Sequence, residues 1–169
     1  MKSSKKIALC GISAALGSIF LSLVKFAPTG KLTMFALSSV AIMLPLAKKL
    51  YGGAALTIVA TAIISFISGG FTVFLPYLFI FGVHPLFNAL LEKMNIQKGG
   101  IIIKIVIKLI YYNIVLYFLY KFAYLTELIV VDIEFYLLAI VISIAFIPYD
   151  FLMQALFKRV EFYTNRYIK

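Results

Sequence analysis

Apolar stretches close to twenty residues long, separated by short polar or glycine- and proline-containing turns, recur along the whole of this sequence. An α-helix rises about 1.5 Å per residue, so roughly 20 apolar residues match the ~30 Å hydrocarbon core of a bilayer. Water is a poor medium for such a chain. Of its residues 64% are hydrophobic and 13% charged, against roughly 45–50% and about 25% in soluble domains. A chain of this length also leaves much of its surface exposed on folding. The expected fold class is therefore all-α: a polytopic membrane protein, a compact bundle of six transmembrane helices.

Hydropathy and helix breakers place those spans at about residues 7–24, 32–47, 51–67, 71–91, 101–120 and 135–156. Pro28-Thr29-Gly30, Lys48-Lys49, Ser68-Gly69-Gly70 and the segment Asn95 to Gly100 supply the turns. The tail, residues 157–169, alternates basic and aromatic residues as an interfacial helix does. No linker, low-complexity tract or repeat divides the chain, so 1–169 reads as one domain. The opening Met1-Lys-Ser-Ser-Lys-Lys6 superficially resembles a signal peptide, but the apolar run behind it continues to about Val24. That is too long for a typical signal core, and it reads as a retained first span.

The formal charge of +10 raises the possibility of nucleic acid, and its distribution decides against it. The basic residues sit at span ends. With a cytoplasmic N-terminus, the inner ends carry Lys2, Lys5, Lys6, Lys48, Lys49, Lys93, Lys98, Lys104, Lys108, Lys158, Arg159, Arg166 and Lys169, and the outer ends only Lys25, Lys31 and Lys121. Glu127, Asp132 and Glu134 fall in an outer loop. The positive-inside rule is met by an even number of spans with both termini cytoplasmic in the cell membrane of a bacterium.

Ionisable and amide groups at membrane depth are the first candidates for function. They are His84, Asn88, Lys104, Lys108, Asn113 and Asp150. Lys104 and Lys108 share a helix face and can snorkel to headgroups; the short Asp150 carboxylate cannot reach far, and it calls for a partner such as a lysine or His84. His84 precedes Pro85, where a kink is expected. Cys10 is the only cysteine and His84 the only histidine, so neither a disulfide nor a multi-ligand metal site is expected. No cofactor is expected. The inventory also argues against catalysis: there is no second intramembrane carboxylate for a peptidase pair, no base placed beside a serine, and no phosphate-cradling glycine loop.

Ala8, Gly11, Ala15 and Ser18 form a small-residue stripe on the first span. Such stripes let helices approach closely in lipid. Two uses are open: packing within this bundle, or docking of another membrane subunit through Gly11, Ala15 and Ser18. Phe71, Phe74, Tyr77, Tyr117, Tyr120, Tyr124 and Tyr136 gather in the outer half, where they either line a pocket or form an interfacial aromatic belt.

Size, topology and two short motifs resemble the substrate-binding S component of energy-coupling factor (ECF) transporters. The family carries Ala-x-x-x-Ala on its first helix; here Gly11 stands for the first alanine and Ala15 matches the second. Pro148-Tyr-Asp150 is similar to the family's Pro-x-Asp near the inner end of the last helix. The lysine that often follows is absent, Met153 and Gln154 occupying that neighbourhood. The resemblance implies a membrane-embedded binder of a vitamin-like small molecule, with a pocket formed by the outer halves of helices and the loop from Phe26 to Lys31; taken with the outer aromatics, the pocket candidates are Phe26, Thr29, Lys31, Tyr77, Tyr117, Tyr120 and Tyr136. It implies a transmembrane T component and two cytoplasmic ATPase subunits as partners. A membrane scaffold similar to the rod-shape protein MreD, which resembles this chain in size, basicity and span number, is the main alternative, and a lipid-interacting or other membrane protein of this architecture is a third.

Overall fold

The computed structural model describes residues 3–27, 29–93, 100–125 and 134–167, and these are helical almost throughout, with no strand among them. The helices are α1 (Ser3–Leu23), α2 (Lys31–Ala47), α3 (Tyr51–Gly69), α4 (Phe71–Pro76), α5 (Val83–Lys93), α6 (Gly100–Leu125) and α7 (Phe135–Tyr167), with a π-helical turn, π1 (Tyr77–Gly82), joining α4 to α5. Among the described residues, five continuous helical segments are long and apolar enough to cross a membrane: Ser3–Leu23, Tyr51–Gly69, Phe71–Lys93, Ile102–Phe122 and Phe135–Tyr167. At 17 residues, α2 is about 25 Å long, at the lower edge of what a bilayer requires. This is the makeup of a multi-pass membrane protein.

Two features of the tail and the fourth segment differ from the sequence expectation. The last span and the basic tail form one unbroken helix of 33 residues, about 50 Å, rather than a span followed by a separate interfacial element. Pro85 does not break its helix locally. The disturbance is displaced upstream, into π1, between Pro76 and Pro85. A π-turn absorbs one extra residue per turn, and a missing proline N–H is one of the defects it accommodates.

The chain divides into two compact units, residues 1–92 with 153–169, and residues 93–152. In the first unit α1 packs against both α2 and α3. Glycines set how closely these helices approach. A Cβ on Gly17 would lie 3.1 Å from the Thr61 methyl and 3.8 Å from the Ser38 carbonyl, and one on Gly53 would lie 2.7 Å from Cys10 Sγ. Leu21, Val24, Phe35, Ile42, Ile58 and Tyr77 form the buried centre, and Phe157 packs against it. The Ser68-Gly69-Gly70 turn narrows to one residue: α3 runs through Gly69, and Gly70 alone reverses the chain at φ 67°, ψ −165°. That region of backbone space is open essentially to glycine only.

In the second unit α6 and the first half of α7 meet through Tyr112, Val115, Leu116 and Phe146, all buried, with the Tyr112 and Phe146 rings 4.4 Å apart. Their other faces are apolar and uncovered. Ile102, Ile114, Phe118, Val141 and Ile144 are each more than half exposed. Water would not tolerate so much contiguous apolar surface on a monomer; hydrocarbon does.

Candidate functional site

Helices surrounded by lipid have to satisfy their backbone groups internally, and each proline leaves the carbonyl four residues earlier without its donor. Pro45 orphans the Ala41 carbonyl, and the Ser13 hydroxyl of α1 donates to it. Pro85 orphans the Phe81 carbonyl, and Ser39 Oγ of α2 donates to that at 2.7 Å. The Phe35 and Phe81 rings stack beside this bond, 5.0 Å between centroids. On α3 the Thr57 and Thr61 hydroxyls each lie 3.4 Å from an α1 carbonyl that no proline orphans, of Cys10 and Ala14 respectively, and Thr57 donates more closely, at 2.9 Å, to Gly53 O of its own helix. Sequence reading passed over these hydroxyls because a serine in an apolar helix carries no signature. The signal that finds Ser13 and Ser39 is the proline on the adjacent helix.

In the second unit Lys108 Nζ donates to both Asp150 oxygens, at 2.9 and 2.7 Å, and both side chains are almost wholly enclosed. Lys108 therefore does not snorkel, in contrast to the simpler sequence expectation: a carboxylate on the neighbouring helix is nearer than the headgroups. Ion pairing at membrane depth lowers the desolvation penalty of both groups. Further along the same interface, Asn113 Nδ2 donates to Leu109 O at 2.8 Å and Ser143 Oγ at 3.1 Å. A void of about 10 Å³ borders Asn113, Ser143 and Tyr112, space for a single water at most.

His84 is fully buried in the first unit, its Nε2 3.0 Å from Asn88 Nδ2 one turn on. An amide donor at Nε2 leaves the ring proton on Nδ1. Among the described residues no three His, Cys, Asp or Glu side chains come together.

The residues assigned to an outer pocket are distributed between the units. Phe26, Thr29 and Lys31 are exposed around the α1–α2 turn, whereas Tyr77 is completely buried in the core of the first unit. Its enclosed hydroxyl has no partner at hydrogen-bonding distance, with the Thr61 side chain beside it. Tyr117 and Tyr120 of α6 converge on Phe135 at the start of α7, with centroids 5.4 and 5.5 Å away. Phe135 was not singled out from the sequence. Tyr136 is 60% exposed, and the Tyr124 side chain falls outside the described residues.

The small-residue stripe of α1 splits. Ser18 is buried, while Ala8, Gly11 and Ala15 are exposed. α1 packs internally through the neighbouring face, Leu9, Ser13, Gly17 and Leu21. A Cβ on Gly11 would meet nothing within 4 Å, so the packing of its own unit places no demand for glycine there. Beside Gly11 lies an open groove of about 650 Å³ between α1 and α3, its lining including Lys6, Cys10, Ala14, Lys49, Gly52 and Leu56. Comparison with known proteins returned no matching family model, no matching curated protein and no matching solved structure.

Proposed function

We propose that this chain is the membrane-embedded substrate-binding subunit of an ECF-type uptake transporter for a vitamin-like micronutrient. In this reading α2 is counted as a sixth span, both termini are cytoplasmic, and the chain works with a T component and two ATPases. It catalyses no reaction itself. The observation that supports the reading best is the exposed Gly11–Ala15 face. Small residues one turn apart, unused by packing within their own unit, suit close approach by another transmembrane helix. Asp150 of the Pro-x-Asp segment, held by Lys108, adds a second point of agreement with the resemblance.

The scaffold reading retains one specific support: the groove beside Gly11 is open and lies at the basic end of α1 and α3, as a partner-holding surface would. Co-expression separates the two. The transporter reading expects recovery with T and ATPase subunits, a reduction of about tenfold or more for Gly11→Leu or Ala15→Leu with the variants still folded, and a melting shift with a vitamin or nucleobase precursor. An introduced leucine has to be overpacked against the incoming helix, at about 1–3 kcal/mol. Recovery with cell-wall assembly proteins instead, with no small molecule raising the melting temperature, would replace the transporter by the scaffold.

A further inference from the structure

The groove between α1 and α3 has a polarity. α1 and α3 run side by side in the same direction, Cys10 facing Gly53 and Thr57, Ala14 facing Thr61. The lining extends from Lys6 to Ala14 on α1 and from Tyr51 to Ala60 on α3. Both lysines, Lys6 and Lys49, therefore lie at one end, and the remainder toward Ala14 and Ala60 is apolar but for Thr57, whose hydroxyl donates to Gly53 O at 2.9 Å. No acidic residue lines it. Glycine at positions 11 and 52 keeps the groove deep, since a Cβ at either would enter open space rather than meet a neighbour.

The second observation concerns the backbone of Lys49. α2 ends in a Schellman motif: Leu50 N–H donates to Pro45 O at 3.0 Å, and Lys49 N–H to Leu46 O at 2.8 Å. The residue after the C-cap then adopts the left-handed conformation, for which glycine is the unstrained choice. Lysine occupies it, at φ 57°, the one non-glycine residue with positive φ among those described. Nothing in the α2–α3 turn requires a side chain there. What the lysine adds is a cation at the charged end of an otherwise apolar groove. Strained backbone retained at a particular residue points to a role for that residue outside local folding.

We infer that this groove binds an anionic phospholipid of the adjacent leaflet, its acyl chain along Gly11, Ala14, Leu56 and Ala60 and its phosphate between Lys6 and Lys49. An amphiphile with a negative head and an apolar tail matches the groove at both ends. Basic sites between transmembrane helices are known for this chemistry, and lysine stems can lie along apolar surface while holding the ammonium at headgroup depth. The groove shares Gly11 with the docking face of the transporter reading and is the surface on which the scaffold reading rests, so lipid and a protein partner are alternative occupants that the test separates.

The test uses the purified full chain in neutral detergent, followed by thermal unfolding and by native mass spectrometry for retained lipid. Phosphatidylglycerol at saturating excess is expected to raise the melting temperature by about 5 °C or more. Phosphatidylcholine is expected to give less than a third of that, and glycerol 1-phosphate no shift. Lys49→Gly removes the strained side chain, so its lipid-free melting temperature is expected to stay level or rise while its phosphatidylglycerol increment falls at least by half. Lys6→Ala combined with Lys49→Gly, and separately Gly11→Leu, are expected to abolish the increment and the retained lipid. Equal responses to the two lipids, a full response to glycerol 1-phosphate, or an increment that survives in the double variant would each overturn the proposal. If Gly11→Leu leaves the lipid response intact and changes only recovery of a protein partner, the groove belongs to that partner and not to lipid.

Discussion

Lys108 and Asp150 show how strongly environment decides what a residue is for. Read along the chain, Lys108 is one of two lysines near the inner end of a span, free to reach the headgroups. In the folded unit it makes both of its short bonds to one buried carboxylate. Removing either partner leaves an uncompensated charge in an apolar interface, which costs about 3–5 kcal/mol, whereas replacing both by apolar residues of similar volume is close to neutral. Lys108→Met and Asp150→Leu singly are thus expected to lower the melting temperature sharply. The double variant is expected to recover most of the loss, with a coupling of about 2 kcal/mol or more in a double-mutant cycle. Additive losses would show that the two side chains contribute separately. At this scale the sequence identified the groups and called for a lysine or His84 beside Asp150, but not for Lys108 in particular, because residues 42 positions apart carry no mutual signal.

Elements show the same division between what is local and what is not. Turn chemistry was legible: Gly70 reverses the chain where a glycine pair follows Ser68, and Lys48-Lys49 closes α2. The displacement of the Pro85 disturbance into π1 was not legible, since where a helix yields depends on what can donate to the freed carbonyl. Here the Ser39 hydroxyl donates to it. Ser13 does the same for Pro45, which gives a sharp test of α2. Ser13→Ala is expected to destabilise by about 1–3 kcal/mol by leaving the Ala41 carbonyl without a donor. Restoring the helical N–H with Pro45→Ala should then reduce the cost of Ser13→Ala by at least half. An unchanged cost in the Pro45→Ala background, measured by thermal or denaturant unfolding in detergent, would mean that the serine acts through packing alone.

On the scale of the whole molecule, the solvent is the dominant influence. The outward faces of α6 and α7 are apolar over most of their length, and no residue of the first four turns of α7 is charged. The protein is accordingly expected to stay with the membrane fraction through an alkaline carbonate wash and to be monodisperse only with detergent or lipid present. Size-exclusion chromatography of a soluble, detergent-free extract checks this, and a discrete species there would contradict it.

Composition, apolar run length and the placement of breakers were enough to determine an all-helical chain suited to hydrocarbon, because those properties follow from the local cost of exposing side chains and backbone. They also picked out Gly11, Ala15 and Asp150 as residues worth asking about. Which face of α1 turns inward is a matter of packing against helices distant in sequence. The tertiary structure alone decided it, burying Ser13 and Gly17 and leaving Gly11 and Ala15 outside. It likewise sealed Tyr77 into the core, joined Lys108 to Asp150, and placed Lys6 and Lys49 at the same end of a largely apolar groove. Short-range physics writes the helices; the close approach of helices to one another determines which side chains remain available for function.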